Sequence, residues 1–409
     1  MMYNRHIFIR QVLYITEAKM VVNFDFLDNE PIENVITNLN FQIDKTVYFG
    51  YSDSIGKYKK TLELFLAKYC GGQEAEFIPV PKGKLGETLA IMRDAVLTEI
   101  NRNNEVFFDI TGGEAIPLVA FGILSTETDT PIHVFNVNSN KLLEQDDGAD
   151  REISRAVPRR NTEFTVEMLV ELRGGAVKTT AMKHYKDPDN NDPVSAEEII
   201  SLFRKHTADW SRLISAMHNC LVDCGEGVFR IDYDKASDHY HPSFVRRFRN
   251  FIQELHDCGM IKTVSNDKAD DWFWFADDFV KANLTEEGTA LEIMTCMELR
   301  KKYGQAQAGV VIDWDGAVDA GHDVVNEIDV IALDGFVPVI VSCKCGNQAN
   351  KDAIYELETV ARKFGGKYAR KMLMSVKNMT PADKDRAAEM GIEVRVLNED
   401  VRVKNYNNH

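Results

Sequence analysis

Between Asn326 and Gly346 the chain reads NEIDVIALDGFVPVIVSCKCG: two apolar runs joined by a glycine-containing turn. Such runs form paired strands. Asp329 sits among Ile328, Val330 and Ile331, and Lys344 follows Val341 and Ser342 fifteen positions later. A charged group inside an apolar strand is costly unless it is paired or bound to a metal. Side chains alternate along a strand, so Lys344 shares the face of Ser342 and opposes that of Cys343 and Cys345. Taken alone, a salt bridge between Asp329 and Lys344 across neighbouring strands accounts for both. The surrounding pattern extends the unit over residues 284–409. A helix over Glu286–Tyr303 carries Glu292, and strand Val310–Trp314 precedes the pair. Helix Asp352–Phe364, strand Lys371–Val376, helix Pro381–Met390 and strand Glu393–Val396 follow.

The first third alternates strands and helices. Val21–Phe26, Thr46–Gly50, Ala75–Val80, Glu105–Ile110 and Ile132–Val137 are short β-rich runs, several apolar at successive positions. Strands buried on both faces read that way. Helical patterns lie between them at Ile32–Leu39, Tyr58–Tyr69, Leu85–Ile100 and Ala115–Ser125, with Pro31 suited to a first helical position. This order implies a parallel, doubly wound sheet, one complete domain over residues 20–150. Residues 1–19 are expected to be an accessory extension, or an added strand such as His6–Tyr14.

The remaining stretch, 151–283, reads as a connector. The polar segments Leu143–Arg160 and Lys186–Pro193 bracket its entry, the second being nearly pure turn chemistry. Helices at Ala196–His206, Trp210–Cys224 and Pro242–Cys258 then lead to an aromatic run, Asp271–Phe275, in a winged-helix-like layout. Arg246, Arg247 and Arg249 form its basic cluster. The run Trp272, Phe273, Trp274 and Phe275 fits a hydrophobic strand better than a base-stacking surface. Cys220 and Cys224 with His218 lack a second pair at zinc-ligand spacing and read as buried thiols.

A length of 409 residues fits two or three domains. With 48 Lys and Arg against 64 Asp and Glu, the net charge of −16 argues against a duplex-coating protein held by phosphate neutralisation. It leaves room for a nuclease, because carboxylates that hold divalent metals are themselves negative. No stretch approaches the roughly 18 consecutive apolar residues of a membrane span. Arg5, Arg10, Glu17 and Lys19 interrupt any signal-peptide core in Met1–Met20. Seven scattered cysteines do not form a disulfide framework, so a reducing cytoplasm is expected.

The helix–strand–strand set resembles the PD-(D/E)xK nuclease core. The resemblance maps a helix Glu onto Glu292, a strand Asp onto Asp329, and the acid-x-Lys of the next strand onto Ser342 and Lys344. Carboxylates of that core bind Mg²⁺ or Mn²⁺. Metal and lysine together activate a water and offset charge in the transition state. Ser342 stands where an acid is usual; Glu327, or Glu356 or Glu358 on the next helix, is the candidate replacement.

In the N-terminal domain, strand Glu105–Ile110 runs into Thr111–Gly112–Gly113 and a helix beginning near Ala115. A glycine turn at a helix N-terminus, at the carboxyl end of a parallel strand, offers amides to a phosphate. This segment resembles the CARF (CRISPR-associated Rossmann fold) domain, the sensor of cyclic oligoadenylates. Ala115 occupies the Lys position of the T-G-G-x-K found in many such domains, and Lys82 and Lys84 are plausible substitutes. Asp28, Asn29 and Pro31 after the first strand, Tyr51, Ser52, Asp53 and Ser54 after the second, and Glu114 would complete the ligand site.

With D-W-D-G, N-E-I-D-V, V-S-C-K and Y-E-L in the C-terminal unit, nearly the whole chain after Met20 resembles the CARF-plus-PD-(D/E)xK ancillary nucleases of type III CRISPR systems. The resemblance implies a homodimer that binds cyclic tetra-adenylate and cuts single-stranded RNA or DNA with Mn²⁺ or Mg²⁺. Two other readings stay open: a constitutive DNA endonuclease with a scaffold Rossmann domain, and a ligand-responsive transcription regulator with an inactive nuclease fold.

Overall fold

The computed structural model describes residues 19–138, 140–146, 149–152, 160, 162–179, 196–263, 272–313, 325–346 and 349–397. Residues 1–18 of the expected extension 1–19, the turn segment Lys186–Pro193 and most of D-W-D-G lie outside them. The chain divides into two compact units, one of residues 1–136 and 141–162, the other of 137–140 and 163–409. Among the described residues no helix is long and apolar enough to cross a membrane.

The first unit holds β1 (Val21–Leu27), α1 (Ile36–Asn40), β2 (Lys45–Gly50), α2 (Ser52–Tyr69), β3 (Glu74–Pro79), α3 (Leu85–Asn101), β4 (Glu105–Asp109), α4 (Ala115–Thr128) and β5 (Ile132–Asn136). The sheet order β3-β2-β1-β4-β5 is parallel throughout, as the alternation of elements requires. An antiparallel hairpin, β6 (Lys141–Asp146) and β7 (Ala149–Glu152), extends it where a polar connector was expected. Pro31 lies in turns, and the helix it was expected to open begins only at Ile36.

The two faces of this sheet differ sharply. One buries Val22, Phe24, Phe26, Val47, Phe49, Val106 and Phe108 against α3 and α4, with Phe24 and Phe49 stacked at 5.7 Å. Each such phenylalanine contributes about 1.5–3 kcal/mol by leaving water. The other face is polar yet equally buried: Asn23, Asp25, Thr46, Tyr48, Asp109 and His133, covered by Asn34, Thr37 and Asn38. Asp25 accepts from the Asn34 amide at 2.9 Å, and Asp109 accepts from the Thr37 hydroxyl at 2.5 Å. Burial, followed by repulsion from Asp109, holds the Asp25 carboxyl well above its ordinary range.

The second unit opens with α5 (Val166–Leu172), β8 (Ala176–Thr179), α6 (Ala196–His206) and α7 (Trp210–Cys220). It continues through β9 (Leu221–Asp223), β10 (Phe229–Ile231), α8 (Tyr233–His239), α9 (Pro242–Asp257), β11 (Ile261–Thr263) and β12 (Trp272–Phe275). The small sheet β11-β12-β10-β9 beside α7, α8 and α9 is the winged-helix-like layout. Phe244, Val245, Phe248, Phe251, Ile252 and Leu255 recur at three- and four-residue spacing and bury one stripe of α9.

The remainder is α10 (Asp278–Thr285), α11 (Thr289–Tyr303), β13 (Gln305–Asp313), β14 (Val325–Asp334), β15 (Val337–Lys344), α12 (Lys351–Val360), β16 (Arg370–Ser375), α13 (Pro381–Glu389) and β17 (Ile392–Val396). These give a mixed sheet, β17-β16-β15-β14-β13-β8, antiparallel from β8 to β15 and parallel beyond. A single apolar core joins α6, α7 and α9 to α11 and this sheet. The long helix expected over Glu286–Tyr303 begins at Thr289. Gly288 caps it at φ +109°, a conformation that separates it from α10. All seven cysteines are free; Cys220 is buried and Cys224 exposed, so they form no zinc half-site among the described residues.

The buried carboxyl of Asp25 generates a pH-dependent expectation. A carboxyl raised in the folded state weakens the fold as pH climbs above its unfolded value near 3.8. Asp25→Asn keeps an acceptor for Asn34 without the charge. It should therefore raise the unfolding temperature of the chain at pH 7 and leave it unchanged below about pH 4. An Asp25→Asn protein less stable than its parent at pH 7 would contradict this.

Candidate active site

Pairing of β14 with β15 creates the site. The register Val330↔Val341 and Ile331↔Ile340 brings Asp329 opposite Ser342, one pleat from Lys344. Oδ2 of Asp329 accepts the Cys343 amide at 2.6 Å and the Ser342 hydroxyl at 3.2 Å, and Lys344 Nζ lies 3.9 Å away. Ser342 thus orients the carboxylate in place of supplying one. Cys343 and Cys345 face the apolar core.

Glu327 and Asp329 line two cavities. The larger, about 640 Å³, also takes in Glu292, Glu286, Thr289 and Lys281. The smaller, about 30 Å³, holds Ser342, Lys344 and Glu356. Burial, then the charges of Asp329 and Glu327, push Glu292 up to about 8, with Lys344 acting in the opposite sense. Burial and the charges of Asp329 and Glu286 also raise Glu327. Gly288 lets α11 start close to this group: a Cβ there would stand 3.2 Å from Glu292 Oε1. Glu358, weighed as a replacement acid, is committed elsewhere. It pairs with Lys371 at 2.6 Å and Arg362 at 3.0 Å.

Three carboxylates with one nearby ammonium make a donor set that a divalent cation would relieve. Among the described residues no three potential ligands converge closely enough to hold an ion alone. A cation here would complete its shell with water or substrate oxygens, the habit of Mg²⁺.

Sequence reasoning missed Lys281, Glu286 and Glu287, which line the larger cavity from α10 and the turn after it. The usable signals were Asp277, whose side chain caps α10 by accepting from Val280 N–H at 2.8 Å, and the break at Gly288.

In the first unit, the turn after β4 meets the turn after β1. Gly113 N–H donates to Asp28 Oδ2 at 3.0 Å, and Thr111 Oγ1 accepts from Phe135 N–H at 2.8 Å. A Cβ on Gly112 would fall 2.9 Å from Glu33 Oε2 and 3.0 Å from Asp28 Oδ2, so a side chain there would have to displace these carboxylates. Tyr51 donates to Glu114 at 3.0 Å, and Lys82 lies over the Tyr51 ring at 4.9 Å while pairing with Asp53 at 2.9 Å. Ser52 and Ser54 occupy the first turn of α2, and the Asn29 carbonyl accepts from Tyr58 at 3.4 Å. Pro31 is buried in the β1 turn. Lys84 pairs with Glu87 at 2.9 Å, whereas Lys82 lies over the ring of Tyr51, whose hydroxyl donates to Glu114.

Residues 281–408 match the family model of the Card1-like endonuclease domain. The fold is α/β, with a parallel Rossmann-like sheet in the first unit and a mixed sheet in the second, as the sequence led one to expect. Protein VC1899 from Vibrio cholerae aligns over 93% of this chain and 95% of its own, at TM-score 0.70 and 15% identity. Can2 from Sulfobacillus thermosulfidooxidans, solved in complex with cyclic tetra-adenylate, aligns over 91% and 93%, at 0.61 and 17%. A type III CRISPR defence DNA nuclease activated by cyclic oligoadenylate aligns over 96% of this chain and 52% of its own, at 0.51 and 14%. No curated protein matches the chain.

The raised carboxyl of Glu292 yields a metal-removal test. In chelator, the wild-type chain should lose stability as pH rises from about 4.5 towards 8, where Glu292 ionises in the fold. Glu292→Gln should melt higher than wild type at pH 8 and level with it at pH 4. Millimolar Mg²⁺ or Mn²⁺ should narrow the gap at pH 8 by stabilising the wild type alone. Equal melting of the two proteins at pH 8 in chelator would refute the repulsion.

Proposed function

We propose that the chain is a metal-dependent nuclease of type III CRISPR defence, active as a homodimer and switched on by a cyclic oligoadenylate bound to its first unit. The observation that carries the reading is that Glu292, Glu327 and Asp329 line one cavity, with Lys344 3.9 Å from Asp329, inside the stretch that matches the Card1-like endonuclease model.

Glu292, Glu327 and Asp329 would hold Mg²⁺ or Mn²⁺, which supplies Lewis-acid activation of water and charge neutralisation at a phosphodiester. The chain's own groups do the rest. Cys343 N–H and Ser342 Oγ fix Oδ2 of Asp329, so that carboxylate needs no reorientation when substrate arrives. Lys344 presents an ammonium to a non-bridging oxygen of the scissile phosphate, while Lys281 gives the larger cavity a second cation for the backbone. Glu356 adds a carboxylate on the Lys344 side.

The first unit offers a ring of phosphates the amides of Gly112 and Gly113 and the Thr111 hydroxyl, with Lys82 and Tyr51 alongside. Asp28 holds the Gly113 amide at 3.0 Å, so a phosphate must displace a carboxylate to reach it. That competition sets a threshold for the signal. A cyclic ligand with rotational symmetry suits a two-fold pocket between sensor copies, and cyclic tetra-adenylate is the ring proposed. It activates only if it binds the active arrangement more tightly than the resting one.

Labelled single strands of RNA and DNA, incubated with Mn²⁺ and with or without cyclic tetra-adenylate, test the reading. Cleavage should require both. Asp329→Ala and Lys344→Ala should each lose at least about a hundredfold in rate while binding the ring normally. Wild-type rates from Lys344→Ala would remove it from the site. In the same assay Gly112→Val should raise the ring concentration for half-activation without changing the maximal rate. Unchanged half-activation would refute the sensor site.

A further inference from the structure

The strand Trp272–Phe275 was expected to be an ordinary hydrophobic strand, and half of it is not. Phe273 is fully buried, whereas Trp272 and Trp274 are 37% and 40% exposed. The register explains the split. Phe229 and Phe273 face each other on the inner side of the small sheet, and Arg230↔Trp272 and Lys262↔Trp274 are the outward pairs. Two indoles therefore stand on one face of β12, with an arginine opposite one and a lysine opposite the other. Residues i and i+2 on a strand lie about 6.6 Å apart, which is the gap left by one base inserted between two planes.

We propose that this outward face is a stacking platform for a single-stranded nucleic acid on its way to the catalytic cavity. The proposal rests on the nuclease reading and adds where on the second unit the strand is held. Indoles stack on any base, and flanking cations take the phosphates, which is how sequence-tolerant single-strand surfaces work. The charges favour that occupant: the outward positions Val222, Arg230, Trp272, Trp274 and Lys262 include no carboxylate, in a chain of net charge −16. Among the described residues neither Arg230 nor Lys262 makes an ion pair.

A duplex lying on α9 is the weaker alternative, because two of its three arginines are engaged locally: Arg247 lies 3.6 Å from Asp209 and Arg249 sits 3.6 Å over the Tyr233 ring. Continuity points from the platform to the cavity. β12 runs directly into α10, whose Asp278, Lys281 and Thr285 line that cavity. Lys281 Nζ itself stands 4.7 Å over Phe229, on the inner side of the same sheet.

The test measures anisotropy of a fluorescein-labelled oligo(dT) or oligo(U) 20-mer on the Lys344→Ala chain, which binds without cutting. Trp272→Ala/Trp274→Ala should weaken binding by roughly tenfold or more, and Trp272→Phe/Trp274→Phe should restore it to within about threefold. Arg230→Gln and Lys262→Gln should each lower the slope of log affinity against log salt by about 0.7. Because the indoles are exposed, unfolding temperatures should stay near the parent's. Unchanged affinity of the double-alanine variant would overturn the platform. So would its conversion of a dimer to monomers at unchanged affinity per protomer, which would make the face a contact between copies. Cleavage by the unmodified chain is scored separately. Cutting without Trp-dependent binding refutes only the platform, and Trp-dependent binding without cutting refutes only the nuclease reading.

Discussion

A 2.6 Å hydrogen bond from the Cys343 amide to Asp329 Oδ2 ties the edge of one strand to the working group of the next. Everything at the candidate active site follows from that pairing. A one-residue slip of β15 against β14 would send Ser342 and Lys344 into the apolar core and turn Cys343 and Cys345 outward. Register here is fixed by apolar burial on the opposite face, where Val330, Ala332, Val339, Val341 and Cys343 share a core with α11. Packing on one face therefore sets the chemistry on the other. The same core seats α11 so that Glu292 meets Asp329 and Glu327, at an electrostatic cost a divalent cation would remove.

The first unit shows a similar tension with the opposite charge logic. The Gly113 amide is met by Asp28, and the sheet buries a polar layer containing Asp25, Asp109 and His133. Burial works to raise Asp109, yet His133 at 3.4 Å and the hydrogen bonds from Thr111 and Thr37 bring it below its ordinary value. Under the proposed reading, a phosphate would have to displace Asp28 to reach the Gly113 amide.

Much of this was legible in the residues. Strands buried on both faces announce themselves as continuous apolar runs, so the parallel sheet and the β14–β15 pair could be read with edges off by a residue or two. Asp329 and Lys344 stood out because a charge among Ile and Val needs a reason. The hidden parts depend on distant pairing. β8 is a four-residue strand whose partner, β13, lies more than 130 residues away. The hairpin β6–β7 is charged and sits at a sheet edge, without an apolar rhythm to show it. Trp272–Phe275 is aromatic at every position, so alternation cannot say which two rings face water; Arg230 and Lys262 decide it from other strands. Glu286 and Glu287 fall in the first turn of the helix that the sequence predicts over Glu286–Tyr303, whereas Gly288 starts that helix only at Thr289.

The central claim is that Asp329, Glu292 and Glu327 hold a divalent cation beside Lys344. Anomalous diffraction from crystals of the unmodified chain grown with millimolar Mn²⁺ tests it most directly. A manganese peak in the larger cavity, within bonding distance of Asp329 and at least one of the two glutamates, is expected. A peak elsewhere alone, or none at these carboxylates, would contradict it.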